Sequence, residues 1–143
     1  MQVTLIQQTP APIETISKIA SICYDSDPKN HLGLVKHLYR NGHHSVFEHI
    51  YFTFKIEGIS RACSHQLVRH RMCSFTQRSQ RYCSEDGFEV VTPPSVTSVT
   101  YDTIMNVVKG EYEHLQRAGT PNEDARYVLP NACETSLPIC RAI

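Results

Sequence analysis

Five arginines lie between Arg61 and Arg81, inside a stretch, residues 58–84, that holds no Asp or Glu. Arg69, Arg71, Arg78 and Arg81 fall within thirteen residues, with His70 among them and Ser74, Thr76, Gln77, Ser79 and Gln80 interleaved. Planar guanidinium forks beside hydroxyls and amides suit a phosphate-bearing ligand. The competing reading is a solvated basic face. Cys73 sits beside Arg71, a neighbour that favours thiolate, but no acid–base partner is placed next to it by sequence. A second polar cluster, residues 42–49, carries His43, His44, His49 and Glu48. It lacks the regular i, i+4 spacing of a zinc helix and reads as a polar turn before a strand.

The elements that must position these groups follow from periodicity. Val3, Leu5 and Ile6 indicate a strand over residues 1–7, broken by Pro10 and Pro12. Ile13, Ile16, Ile19, Ala20 and Cys23 recur at helical spacing. Residues 31–40 read as a second helix with Leu32, Val35, Leu38 and Tyr39 inward, stopped by Asn41-Gly42. Phe52, Phe54 and Ile56 alternate with polar neighbours in a half-buried strand that Gly58 should end. Ser60 caps a helix expected from Arg61 to about Arg71, after which the arginine run continues as an irregular loop to Tyr82. Residues 88–91 form a short extended piece. Tyr101, Ile104, Met105, Val108, Tyr112 and Leu115 then mark a long helix whose stripe is core or subunit packing. Thr120, Pro121 and Glu123 read as the capping box of a last helix, which holds Arg126 and stops before Pro130.

Length and composition set the outer limits. A chain of 143 residues suffices for one domain, here expected over residues 1–143, with a real core. Lys plus Arg equals Asp plus Glu at 14 each, so positive charge is local and no nucleic-acid or membrane protein is indicated. There is no apolar run of membrane-spanning length and no secretory leader pattern. The six cysteines include no C-x-x-C pair, and the histidines stand at no zinc-finger distance from them, so no metal site is expected. Reduced thiols in the cytoplasm are the simpler account.

Arg69-His70-Arg71, seven residues and then Ser79 form an ordered signature, with Gln66 three residues ahead and Ser79-Gln80-Arg81-Tyr82 closing it. In this the sequence resembles the flavin-dependent thymidylate synthases. Two further elements agree with that family. One is G-H-x-x-x-F-E-H, at Gly42, His43, Phe47, Glu48 and His49; the other is Ala125-Arg126-Tyr127-Val128-Leu129-Pro130. The resemblance implies an α/β (α+β) fold, an antiparallel sheet with flanking helices, assembled as a homotetramer whose active sites are shared between subunits. It implies reductive methylation of dUMP to dTMP, with 5,10-methylenetetrahydrofolate as one-carbon donor, FAD as cofactor and NADPH as reductant. No enzyme cysteine attacks the pyrimidine in that family, and the flavin carries the redox chemistry.

Carried over by position, the resemblance makes Ser45, Glu48, Arg69, His70, Arg71 and Gln77 contacts to FAD. It makes Gln66, Arg69, Gln77, Arg78, Ser79, Gln80, Arg81 and Arg126 the dUMP-binding set, with Ser79 a hydrogen-bonding group and Arg81 and Arg126 serving phosphate or base. The likeness runs to about residue 135, and residues 136–143 do not match the family. The family's C-terminal part, with further flavin contacts and an arginine that helps ionise the pyrimidine, is expected beyond Ile143. A chain lacking that part is expected to bind flavin more weakly and to be impaired in turnover. The alternatives are therefore a truncated homologue that only binds flavin or nucleotide, and an unrelated phosphate- or RNA-binding domain. The last lacks both a basic surplus and the aromatic stacking pattern of RNA modules.

Overall fold

The computed structural model describes residues 1–23 and 25–142. Four strands form one antiparallel sheet in the order β1 (Gln2–Gln8), β2 (Tyr51–Ser60), β4 (Glu134–Ala142), β3 (Cys73–Phe75). The helices are α1 (Pro12–Ile22), α2 (His31–Arg40), α3 (Arg61–Leu67), α4 (Val99–Arg117) and α5 (Asn122–Ala125). Two 3-10 helices, His44–His49 and Arg126–Val128, carry the second and third motifs. The expected mixed fold of antiparallel sheet and flanking helices is thus present.

The main core lies between α1, α2 and the first 3-10 helix. Ile16 and Ala20 meet Val35, Leu38, Phe47 and Ile50, with Leu34, Val46 and Phe52 packed around them. Pro12 opens α1 at a position where its missing N–H costs nothing. Asn30 caps α2, its side chain accepting from Gly33 N–H at 2.9 Å. A Cβ on Gly33 would stand 2.7 Å from that same side chain, so glycine keeps the cap in place. Leu32 and Tyr39, expected inward, are exposed on α2, because the buried face of the helix is carried by Val35 and Leu38 with Leu34 beside them.

Gly58 does not end its strand. It has φ +72 inside a register irregularity between Ile56 and Ile59, and β2 continues to Ser60. A glycine bulge of this kind bends a strand without stopping it. Ser60 therefore closes β2 and caps α3 at once, its hydroxyl accepting from Cys63 N–H at 3.1 Å. α3 ends at Leu67, four residues short of the expected Arg71. Residues 68–72 turn so that Cys73–Phe75 can pair with Ile139, Cys140 and Arg141, and tertiary strand pairing overrides helical propensity. The expected irregular loop accordingly contains a strand.

Residues 136–142, which match no motif, belong to β4, paired on one side with β2 and on the other with β3; Ile143 lies outside the described residues. The extended piece at residues 88–91 appears as a single bridge, Val90 to Cys133. Outside that core, Ile59, Phe88, Tyr112, Ala125, Cys133 and Leu137 are also buried. Of the stripe on α4, Tyr112 is fully buried, while Ile104 is exposed. Pro121, not Thr120, is the N-cap of α5, with no side-chain cap because proline offers neither a side-chain acceptor nor an N–H, and the Glu123 carboxylate pairs with Arg81.

Two glycine substitutions test this backbone in opposite directions. Gly58→Ala forces a left-handed residue and brings a Cβ to 3.0 Å from Met1 N, and should lower unfolding free energy by about 1–2 kcal/mol. Gly110→Ala, inside α4 with nothing within 4 Å of the new Cβ, should raise it by about 0.5–1 kcal/mol. Urea titration of each variant against the native chain reads both.

Candidate active site

The arginine run is laid along β4. Thr76 N–H donates to Pro138 O at 3.3 Å and Arg78 N–H to Ser136 O at 3.1 Å, so the chain continues down β4 after β3 ends. Gln77 Nε2 donates to Ser64 Oγ at 2.7 Å and to Thr135 Oγ1 at 3.2 Å, tying the loop to α3 and to β4. Arg61 Nη1 donates to Arg78 O at 3.2 Å and Thr135 Oγ1 at 3.4 Å. Gln80 is buried, with its amide 3.7 Å from Cys133 Sγ.

Two carboxylates from outside the run hold two of its arginines. Glu85, 4% exposed at its side chain, accepts from Arg78 Nη1 at 3.1 Å. Arg78 Nη2 also donates to Ser84 O at 3.1 Å. Burial raises the Glu85 carboxyl above its ordinary value, and Arg78, then Arg61, pull it back. Its backbone N–H donates to the Tyr112 hydroxyl at 3.0 Å, which fixes the turn after the motif to α4. Glu123 Oε2 accepts from Arg81 Nε at 3.2 Å and Nη2 at 2.9 Å. The Glu123 backbone carbonyl accepts from Arg126 Nε at 3.0 Å. One residue therefore holds both Arg81 and Arg126, drawing the end of the first motif to the third. The Glu123 hydrogen bond raises Arg81 above its ordinary value, so that guanidinium stays charged.

The site residues named from the sequence divide into four groups. Gln77 and Arg78 have their polar heads committed within the chain. Arg81 and Arg126 are both held by Glu123, and Gln80 and Arg126 line a cavity of about 300 Å³ whose wall also includes Tyr127 and Asn131. Ser79 lies at its edge in sequence, with its hydroxyl accepting from Arg81 N–H at 3.2 Å. Gln66, Arg69, His70 and Arg71 are exposed at the end of α3 and on the turn after it, and their side chains have no protein hydrogen-bond partner among the described residues. Ser45 and Glu48 are exposed on the first 3-10 helix, and no hydrogen bond joins them to the Arg69–Arg71 turn. Among the described residues no group of three or more His, Cys, Asp or Glu could hold a metal ion.

Arg61, Glu85, Tyr112, Glu123 and Thr135 were missed as site-builders. Glu85 had a signal: it is the first acid after the acid-free run. Glu123 reads in the sequence as part of a helix cap, and Thr135 carries no pattern at all. Cys133 is buried, and burial first, then Glu85, push its thiol up to about 11, with Arg61 and Arg78 opposing. It is an inert packing thiol. Cys73 is half-buried in β3 opposite Arg141.

Two measurements check these environments. Alkylation at mildly alkaline pH, followed by mass spectrometry, should label exposed Cys23, Cys63 and Cys83 first. Cys133 should stay unlabelled until denaturant is added. For Glu85 the folded value lies above the unfolded one, about 4.3, so its contribution to stability is greatest where it is protonated. That contribution falls as pH rises from the unfolded value through the folded one. The stability difference between native chain and Glu85→Gln, measured by urea titration, should therefore move against the native chain as pH climbs through that window.

The family model described as "Thymidylate synthase complementing protein" matches residues 4–140, five residues past the point where the motif likeness stopped. The flavin-dependent thymidylate synthase of Geobacter sulfurreducens is 42% identical over 154 residues, covering 96% of this chain and 66% of that protein. That of Clostridium tetani is 34% identical over 168 residues, covering 96% and 68%. The chain thus spans about two thirds of the length of these curated relatives. Among solved structures, a Helicobacter pylori thymidylate synthase with FAD and dUMP superposes with a TM-score of 0.78 at 22% identity, covering 99% of this chain and 78% of that one. A UMP/dUMP methylase from Streptomyces cacaoi, bound with 5-Br dUMP, gives 0.75 at 24% identity, covering 99% and 72%. At those identities the superpositions establish the fold alone. The family match, running from the first strand into the last and backed by 42% identity to a curated synthase, carries the assignment further: the chain belongs to the flavin-dependent thymidylate synthase family.

Proposed function

We propose that this chain acts as a flavin-dependent thymidylate synthase, converting dUMP to dTMP with methylenetetrahydrofolate as one-carbon donor and NADPH as reductant of FAD. The observation that carries the reading, beside family membership, is the distribution of carboxylates over the arginine run. Arg78 and Arg81 receive one each, whereas Arg69 and Arg71 have none among the described residues. Unpaired guanidiniums beside His70 suit the pyrophosphate of a dinucleotide. In this reading Arg69, His70 and Arg71 hold FAD, with Ser45 and Glu48 approaching the same cofactor. When bound, FAD supplies the hydride.

The chain's own residues bind and orient the nucleotide. Gln66, Ser79, Gln80, Arg81 and Arg126 form the dUMP set, with Arg69 shared between the two ligands. Gln77 and Arg78 serve by fixing the loop to Ser64, Thr135 and Glu85. Glu123 holds Arg81 through its carboxylate and Arg126 through its backbone carbonyl, which keeps the two guanidiniums close. Donors already in place when charge develops on the pyrimidine need no reorganisation in the transition state. The proposal includes a single domain, a homotetramer with shared sites, and a cytoplasmic location. Exposed apolar residues on β1 (Val3, Leu5, Ile6) and α4 (Ile104, Val107) supply faces for subunit contact. No helix among the described residues is long and apolar enough to cross a membrane. The alternative, a chain that only binds flavin or nucleotide, draws no specific support from the relatives.

Titration of the protein with FAD, followed by flavin absorbance and fluorescence, should saturate. Tritium release from 5-labelled dUMP should then require FAD, NADPH and methylenetetrahydrofolate together. No spectral change with a folded sample, or release independent of flavin, would sink the reading. Glu123→Gln should change stability by less than about 1 kcal/mol, since its pair with Arg81 is exposed, yet weaken dUMP several-fold by freeing Arg81. Sedimentation velocity should show a tetramer; monomer alone at tens of micromolar would remove the shared-site part of the proposal.

A further inference from the structure

The wall of the cavity beside Gln80 and Arg126 contains a second cation, Arg61, together with His65. Among the described residues no carboxylate lines that cavity. The root of the Arg61 side chain is fixed: its N–H donates to Cys133 O, and the N–H of Ala62 donates to Asn131 O, each at 2.9 Å. Only Nη1 has protein partners, Arg78 O and Thr135 Oγ1, and no ion pair reaches Arg61 among the described residues. Glu85, the carboxylate whose charge acts on it, is bonded to Arg78. Burial lowers the Arg61 guanidinium below its ordinary value; Cys133 and Glu85 oppose this and the Arg126 charge reinforces it. Two like charges facing one space without an acid in its wall are a standing cost that an incoming anion relieves.

Resting on the function proposed above, we propose that Arg61 is a further substrate-binding residue, donating through its free guanidinium edge to the phosphate of dUMP opposite Arg126. The pyrophosphate of FAD offers the same chemistry. The nucleoside monophosphate is favoured because Gln80 and Arg126 line this cavity and none of Arg69, His70 and Arg71 does.

The experiment titrates dUMP, 2′-deoxyuridine, FAD and inorganic phosphate into the native chain, Arg61→Gln and Arg61→Lys. Arg61→Gln should weaken dUMP by about 10- to 100-fold, the loss expected for a hydrogen bond to a charged group, while leaving deoxyuridine and FAD within twofold. Arg61→Lys, which keeps the charge without the fork, should recover part of that loss. Unchanged dUMP affinity in Arg61→Gln would overturn the site and leave the function standing. Equal losses for dUMP, deoxyuridine and FAD would make Arg61 a scaffold residue and overturn the proposal, as would a loss confined to FAD. Arg61-dependent uptake of phosphate by a native chain that ignores dUMP would overturn the substrate assignment together with the proposed function. If Arg61→Gln does not fold, Arg61→Lys decides alone: dUMP must weaken relative to deoxyuridine, and native affinity for both overturns the proposal.

Discussion

A run of arginines with no acid of its own can pack against a protein only where a carboxylate from elsewhere reaches it. Two do so here. Glu85 arrives from the turn after the run and is buried against Arg78; Glu123 arrives from α5 and takes Arg81. Glu85 is the buried member, so removing Arg78 would leave its carboxylate in a poor solvent, whereas both members of the Glu123–Arg81 pair stay in water. The two acids therefore fix where Arg78 and Arg81 lie, whereas Arg69 and Arg71 have no acid beside them among the described residues.

Strand β4 is the other half of this arrangement. Its Thr135 hydroxyl accepts from Arg61 and from Gln77, and its Ser136 and Pro138 carbonyls accept from the loop backbone. The loop is thus an irregular continuation of a sheet, held by main-chain bonds whose geometry does not depend on which side chains project from it. Tyr112 secures the far end by accepting from the buried Glu85 N–H. Little in this frame is free to move unless a hydrogen bond breaks first, and a buried donor left unmatched costs about 1–3 kcal/mol.

Much of this was legible in the sequence. Helical spacing gave α1, α2 and α4, and Ser60 announced the cap of α3, because caps and periodic apolar faces are local signals. Signals that depend on distant partners were not legible. Gly58 reads as a stop, but its left-handed φ serves a bulge that only the pairing with β4 explains. Arg69-His70-Arg71 reads as the end of a helix until Cys73–Phe75 finds Ile139–Arg141. Glu123 satisfies a capping pattern, yet its carboxylate goes to an arginine 42 residues away. Gln77 and Arg78 look like ligand contacts by type, and nothing in the sequence announces their bonds to Ser64, Thr135 and Glu85. In each case a strong polar group had two uses of comparable strength, and long-range geometry chose between them.

The placement of β4 between β2 and β3 also bears on how the protein is made. Tyr51 lies opposite Ala142 and Cys73 opposite Arg141. On the ribosome, β1 and β2 can pair early, but β3 waits for a partner strand that emerges only after α4 and α5. Until then the arginine run has neither its ladder nor Glu123, and one edge of β2 stands open. Pairings this distant in sequence form slowly, because loop closure precedes any gain from contact. An open strand edge in the meantime invites association with other nascent chains. Expression should therefore benefit from slower synthesis or from holdase chaperones more than from any change to the finished site.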